Sequence, residues 1–229
     1  MFTFPDETAA ALRARFAQEG YVRLPGLVGP DLLARLGAEA GRLAAIGQRR
    51  DFAMACTDDS PRHMTALGGH LIAEHSPLIT GLYTDPTLMS FLQNLTAGPV
   101  IAPPHVLERH VLNILHRPGD THGAHTDDYP YALVLFIEAP EDPAAGGLLE
   151  YAPHTGDLGA LERHGVRRAH HRRGDAYVLR ADTTAHRVTA LTKTGRRRTV
   201  LNFAYTTPEE RTTVTPSAAL LYGGPHQER

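Results

Sequence analysis

The stretch GDTHGAHTDDYPYALVLFIEAP, residues 119–140, decides how this chain is read. His125 and Asp127 stand two apart in it. On a strand, residues two apart share a face, so both side chains can reach one ion. The apolar run Tyr131–Ile137 follows at once. On either side lie further short β-rich runs, at 105–116, 122–127, 130–138, 147–151, 176–180, 187–192 and 198–206, separated by Gly, Pro and Asp clusters. Many short strands with regular turns predict a sandwich or barrel.

Such a barrel must supply a third ligand from elsewhere. His186, in TTAHRV, sits at a strand start. Two His and one carboxylate on one face of iron(II) leave three positions for a chelating cosubstrate and dioxygen. Zinc also accepts two His and a carboxylate. A zinc hydrolase needs a general base beside an activated water, and Asp128 fits that part only loosely. With 14 His in the chain, an HxD pair also arises by chance, so surface or core roles stay open for it. The other histidines, among them His63, His70, His75, His105, His154, His164, His170, His171 and His226, read as solvated or structural.

Upstream, the texture is different. Asp6 is a candidate cap for a helix carrying Ala10, Leu12, Phe16 and Ala17, which Gly20 ends. Tyr21–Leu24 alternates as a short strand, turned by Pro25-Gly26. Asp31 opens a second amphipathic helix with Leu32, Leu33, Leu36, Ala40, Leu43 and Ala44. Asp85 caps a third, Asp85–Leu95, with Pro86 in its first turn. Residues 47–75 show weak periodicity and many polar residues, and are expected to form a long loop that acts as a lid.

Composition narrows the function. The 229 residues are 42% hydrophobic and 21% charged, enough for a full core without staples. A net charge of −2 gives no drive toward phosphate backbones, so no nucleic-acid partner is expected. The single cysteine, Cys56, excludes an internal disulfide and every multi-cysteine metal site. No apolar run approaches the ~20 residues that span a bilayer. The start MFTFPDET is acidic, unlike a signal peptide, so a cytoplasmic protein without a membrane partner is expected.

The order LxRPGD, HxD, a strand, GGxLEY, GDAYVL, His, then RRRTVLNFAY resembles the iron(II)/2-oxoglutarate-dependent oxygenases, and FAQEGYVRLPGLVGPDLLARL is similar to the opening of many members. The resemblance covers nearly the whole chain. It implies a mainly β protein with N-terminal helices, a double-stranded β-helix (jelly roll, cupin-like). Residues 1–229 then form a single domain, with 1–100 as helical support and lid and 101–229 as the core. It further implies iron(II) held by His125, Asp127 and His186. An Arg shortly after the last ligand holds the far carboxylate of 2-oxoglutarate, for which a planar guanidinium is suited. Arg198, which opens the strand Thr199–Tyr205, is chosen, with Arg197 as runner-up.

Halogenases of this family carry a small residue where the carboxylate stands, which frees a position for halide. Retention of Asp127 therefore reads as hydroxylase. The finer resemblance is to carrier-free amino-acid halogenases and their hydroxylase relatives, which act on lysine-like substrates. Arg62, Glu108, His122, Asp128 and Asn202 match substrate-contacting positions of that group. Ala204 departs from an expected Thr, and Tyr222 stands nearest to a C-terminal Trp. Charge agrees with the match: Arg62 and His122 suit a substrate carboxylate, and Glu108 and Asp128 suit ammonium groups. The implied activity is hydroxylation of a free basic amino acid of lysine, ornithine or arginine type. It proceeds by hydrogen abstraction and oxygen rebound, with dioxygen as cosubstrate. The alternatives are oxidation of another small natural-product intermediate, desaturation, or a non-catalytic binding barrel. A homodimer is left open.

Overall fold

Every residue from Tyr131 to Ile137 is buried. That explains why their apolar side chains follow one another instead of alternating: both faces of the strand are covered. The computed structural model describes residues 2–210 and 215–223. Helices α1 (Ala9–Glu19) and α2 (Pro30–Ala44) bracket strand β1 (Tyr21–Leu24). Strands β2 (Gln48–Met54) and β3 (Ser60–Leu67) come next. They are followed by helices α3 (Gly69–His75), α4 (Pro77–Tyr83), α5 (Pro86–Thr96) and α6 (Val106–Arg109). The rest is mostly β: β4 (His110–Leu115), β5 (Thr121–His125), β6 (Tyr131–Glu138), β7 (Leu149–Ala152), β8 (Arg167–Ala169), β9 (Ala176–Arg180), β10 (Ala185–Val188) and β11 (Arg198–Tyr205). Helix α7 (Pro216–Tyr222) follows them.

The strands form one curled antiparallel sheet in the order β1-β9-β6-β11-β4-β3-β5-β10-β7-β8, with β2 paired to β3. Strand β3 carries the sheet around its bend. Its Thr65–Leu67 end pairs with β4, while Arg62 and His63 pair with β5. The result is the expected jelly roll. Along β6, Leu133, Leu135 and Ile137 face a core shared with the helices, while Ala132, Val134 and Phe136 face the interior of the roll. The helices thus back the larger layer, and the interior stays free for a site. No helix among the described residues is long and apolar enough to cross a membrane.

Three local expectations change. Thr8, not Asp6, caps α1: its hydroxyl accepts from the Ala11 amide at 3.3 Å. Gly29 caps α2, with Pro30 in its first turn, and Asp31 lies in that first turn, where its charge favours the helix N-terminus. Residues 47–75 are not a loop. They form the β2–β3 pair, in register from Gln48↔Ala66 to Met54↔Ser60, and helix α3. Alternation exists in β3, but two of its inward residues, Ser60 and Arg62, are polar, so hydrophobicity does not show the period. The segment offers strands, not a lid.

Candidate metal centre and its two chambers

Strand β5 ends at His125, two residues earlier than a shared strand face with Asp127 requires. Asp127 lies just beyond, its amide donating to the Ala181 carbonyl at 2.9 Å. The carboxylate nevertheless returns to the histidines. His186 on β10 sits directly across from His125 in the β5–β10 ladder. Asp127 Oδ1 lies 3.4 Å from His125 Nε2 and 3.6 Å from His186 Nε2. One ligand atom from each of the three residues falls within 4.8 Å of the others, and among the described residues no other such trio occurs.

The hydrogen bonds behind the ligands fix their orientation. His125 Nδ1 lies 2.7 Å from the Gly123 carbonyl, and His186 Nδ1 lies 2.8 Å from the Thr184 carbonyl. A carbonyl only accepts, so each Nδ1 carries a proton and each Nε2 is turned toward the centre. Burial, with the neighbouring His125, lowers His186 to about 4 against the pull of Asp127. Burial opposes ionisation of Asp127, yet His125 and His186 hold its carboxyl below the ordinary range. Two imidazoles and one carboxylate converge, which is the donor set that suits a divalent first-row metal.

From this centre two chambers open, meeting at His122, His125, Asp127 and Asn202. Arg198, on β11, lines the inner one. It is 3% exposed, its Cζ sits 5.0 Å from the Phe136 ring centroid, and it bonds with Tyr177. Burial lowers its pKa, and no carboxylate among the described residues pairs with it. A buried guanidinium in that state can receive an anion. Arg197 does not share the seat. It is half-exposed and donates to Glu138 at 3.1 Å, because neighbours on a strand point to opposite faces.

The outer chamber gathers Arg62, Glu108, His122, Asp128, Asn202 and Tyr222. Arg62 lies on β3, 1% exposed, its guanidinium held by Ser60 and Thr57, with Nε unpartnered among the described residues. Burial pulls its pKa down to about 10. Glu108, on α6, does not pair with Arg109, whose guanidinium donates to the Pro103 and Pro104 carbonyls. Burial, then the charges of Asp128 and Asp127, push Glu108 up to about 8. Burial also raises Asp128, which accepts a hydrogen bond from Thr215 at 2.5 Å. His122 stacks on His125 at 4.1 Å, and burial keeps it neutral. Its Nε2 and Asn202 Oδ1 have no partner among the described residues.

Two contributors went unnoticed in the sequence. Tyr177 partners Arg198, and Asn113 lines the inner chamber while its amide reaches the Tyr222 hydroxyl at 3.4 Å. Asn113 had a signal: it is a lone polar residue in the apolar run VLNIL, and a buried amide needs partners.

The family model described as Halogenase D matches residues 4–219. The chain belongs to the halogenase D family. A comparison with curated proteins gave no match. Among solved structures, this family member is similar to SnoN, a non-heme α-ketoglutarate-dependent epimerase from nogalamycin biosynthesis (TM-score 0.70, 21% identity, 96% of this chain and 90% of that one). It is similar to AviO1 from Streptomyces viridochromogenes Tue57 (TM-score 0.68, 18% identity, 90% and 98%). It is also similar to a prolyl-4-hydroxylase from Pseudomonas putida (TM-score 0.62, 17% identity, 87% and 99%). At these identities the likeness establishes the jelly-roll fold.

Proposed function

We propose that the chain is an iron(II)- and 2-oxoglutarate-dependent hydroxylase of a free basic amino acid. One observation carries the reading: His125, Asp127 and His186 turn two Nε2 atoms and a carboxylate toward one point, beside a buried Arg198 that no carboxylate pairs among the described residues. SnoN has been seen with Fe3+ and α-ketoglutarate, and HygX from Streptomyces hygroscopicus with nickel and 2-oxoglutarate, which supports the same pair of cofactors here. When bound, iron and 2-oxoglutarate supply the oxidising power, drawing on dioxygen and releasing succinate and carbon dioxide.

The chain's own residues do the rest. His125, Asp127 and His186 hold iron from one side and leave the side facing the chambers for exchangeable ligands. Arg198, steadied by Tyr177 and Phe136, would receive the 5-carboxylate of 2-oxoglutarate. Asp127 occupies the position a halide needs, which favours hydroxylation within a family named for halogenation. In the outer chamber, Arg62 and His122 receive the substrate carboxylate. Glu108 and Asp128 receive ammonium groups, and Asn202 and Tyr222 complete the wall. The acid pair has no base paired to it among the described residues and is linked by a hydrogen bond, so a cationic substrate can take the place of the proton that Glu108 otherwise keeps. Orientation between these two ends selects the carbon that reacts.

The test is a mass-spectrometric screen of free amino acids with the protein, iron(II), ascorbate and 2-oxoglutarate. The expected result is a mass gain of one oxygen on lysine, ornithine or arginine. Gain only on neutral or acidic amino acids would overturn the substrate class. Unconsumed 2-oxoglutarate with every compound would overturn the enzyme.

A further inference from the structure

Helix α7 walls the outer chamber through Ser217, Ala218, Leu221 and Tyr222. Seven residues are too few for a helix to persist unaided. Its place therefore depends on what grips it, and three grips are visible. At its start, the Thr215 hydroxyl donates to Asp128 and accepts from the Ala218 amide at 3.2 Å. Near its end, the Tyr222 carbonyl lies against Gly68, where a Cβ would come within 2.4 Å of that oxygen. At the end itself, Arg50 donates from Nε to the Leu221 carbonyl and from Nη2 to the Gly223 carbonyl, both at 2.8 Å.

Arg50 is the unexpected member. It stands on β2, half-buried and outside both chambers. Burial lowers its pKa, so the position carries a cost. Its guanidinium forks onto two carbonyls that the last turn of a helix leaves unsatisfied. Between those carbonyls is Tyr222, whose hydroxyl meets Asn113 of the inner chamber.

We propose that Arg50 is a positioning residue for substrate: by clamping the end of α7, with Gly68 allowing the close approach, it holds Tyr222 over the outer chamber and keeps oxidation coupled to the amino acid bound there. The coupling half of this rests on the function proposed above; the clamping half does not.

The experiment joins two readouts on the full chain. Hydrogen exchange followed by mass spectrometry reads α7 directly. Arg50→Leu and Gly68→Ala should each speed exchange over residues 216–222 at least tenfold and leave β6 and β11 unchanged. Arg50→Lys, which keeps the charge but one donor nitrogen in place of the fork, should fall between. In turnover, both variants should raise KM for the accepted amino acid at least tenfold and yield succinate in excess of product, with KM for 2-oxoglutarate within threefold of wild type. Should Arg50→Leu not fold, Gly68→Ala and Arg50→Lys carry the test. Unchanged α7 exchange overturns the clamp. Faster exchange with unchanged KM and unchanged product-to-succinate ratio overturns the positioning role and leaves Arg50 structural. An amino-acid screen without product overturns the substrate assignment, and exchange alone then decides on Arg50.

Discussion

Replacing Arg198 by Met should separate two effects of one guanidinium. The side chain is 3% exposed, it leans on Phe136 and Tyr177, and its Nε has no partner among the described residues. Pairing such a group with an incoming carboxylate is worth about 2–5 kcal/mol. At about 3 kcal/mol, and 1.4 kcal/mol per tenfold, loss of the pair weakens 2-oxoglutarate binding roughly 150-fold. Iron affinity should not change, since Arg198 touches none of the three ligands. Without 2-oxoglutarate, however, the same substitution removes an uncompensated buried charge and fills its place with apolar volume. Exchanges of buried ions for hydrophobic residues often stabilise by about 1–4 kcal/mol. For 229 residues, each kcal/mol is worth roughly 2–4 °C in Tm. Affinity and stability should thus move in opposite directions. The assay is an anaerobic titration of the iron(II) protein, followed by its 2-oxoglutarate-dependent absorption, together with a thermal melt free of cosubstrate. A dissociation constant within threefold of wild type, or a Tm that falls with the affinity, would refute the assignment of Arg198 as an unpaired anion seat.

Asp127→Ala should lower both iron affinity and substrate-coupled succinate formation, the latter by at least a thousandfold; full turnover in that variant would sink the ligand assignment. Glu108→Gln should cut turnover of a basic amino acid at least tenfold more than it cuts uncoupled 2-oxoglutarate decay, and equal losses would speak against a substrate contact. The same residue predicts a pH effect in the metal-free protein. Its carboxyl titrates near 4.5 when unfolded and near 8 when folded, so between those values the folded state binds more protons. Stability contributed by the protonated form is complete below 4.5 and fades as pH rises toward 8. Urea melts at pH 5 and pH 8 should show that loss in wild type and a smaller one in Glu108→Gln; parallel losses would contradict the burial argument.

The parts of the fold that were legible are those whose faces differ in polarity or are apolar throughout. Helix α2 announced itself by Leu32, Leu33, Leu36, Ala40 and Leu43, all buried, and Asp85 caps α5 through the Thr87 and Leu88 amides. Strand β6 was plain because both its faces are covered. The misread stretch, 47–75, has a different trait. Its strand β3 turns Ser60 and Arg62 inward, toward the site. A strand that faces polar chemistry on its inner side and solvent or another strand on its outer side loses the hydrophobic alternation by which strands are recognised. A different cause hid Arg50: it acts on backbone carbonyls of a segment far along the chain, and no spacing in the sequence encodes that meeting. By contrast, His125, Asp127 and His186 were legible as a group because the HxD spacing and the order of the family motifs single them out, and the structure brings the three together. In this fold, a polar stretch without visible period between well-marked elements is therefore better read as a strand lining the site than as a loop above it. Residues 47–67 bear that out.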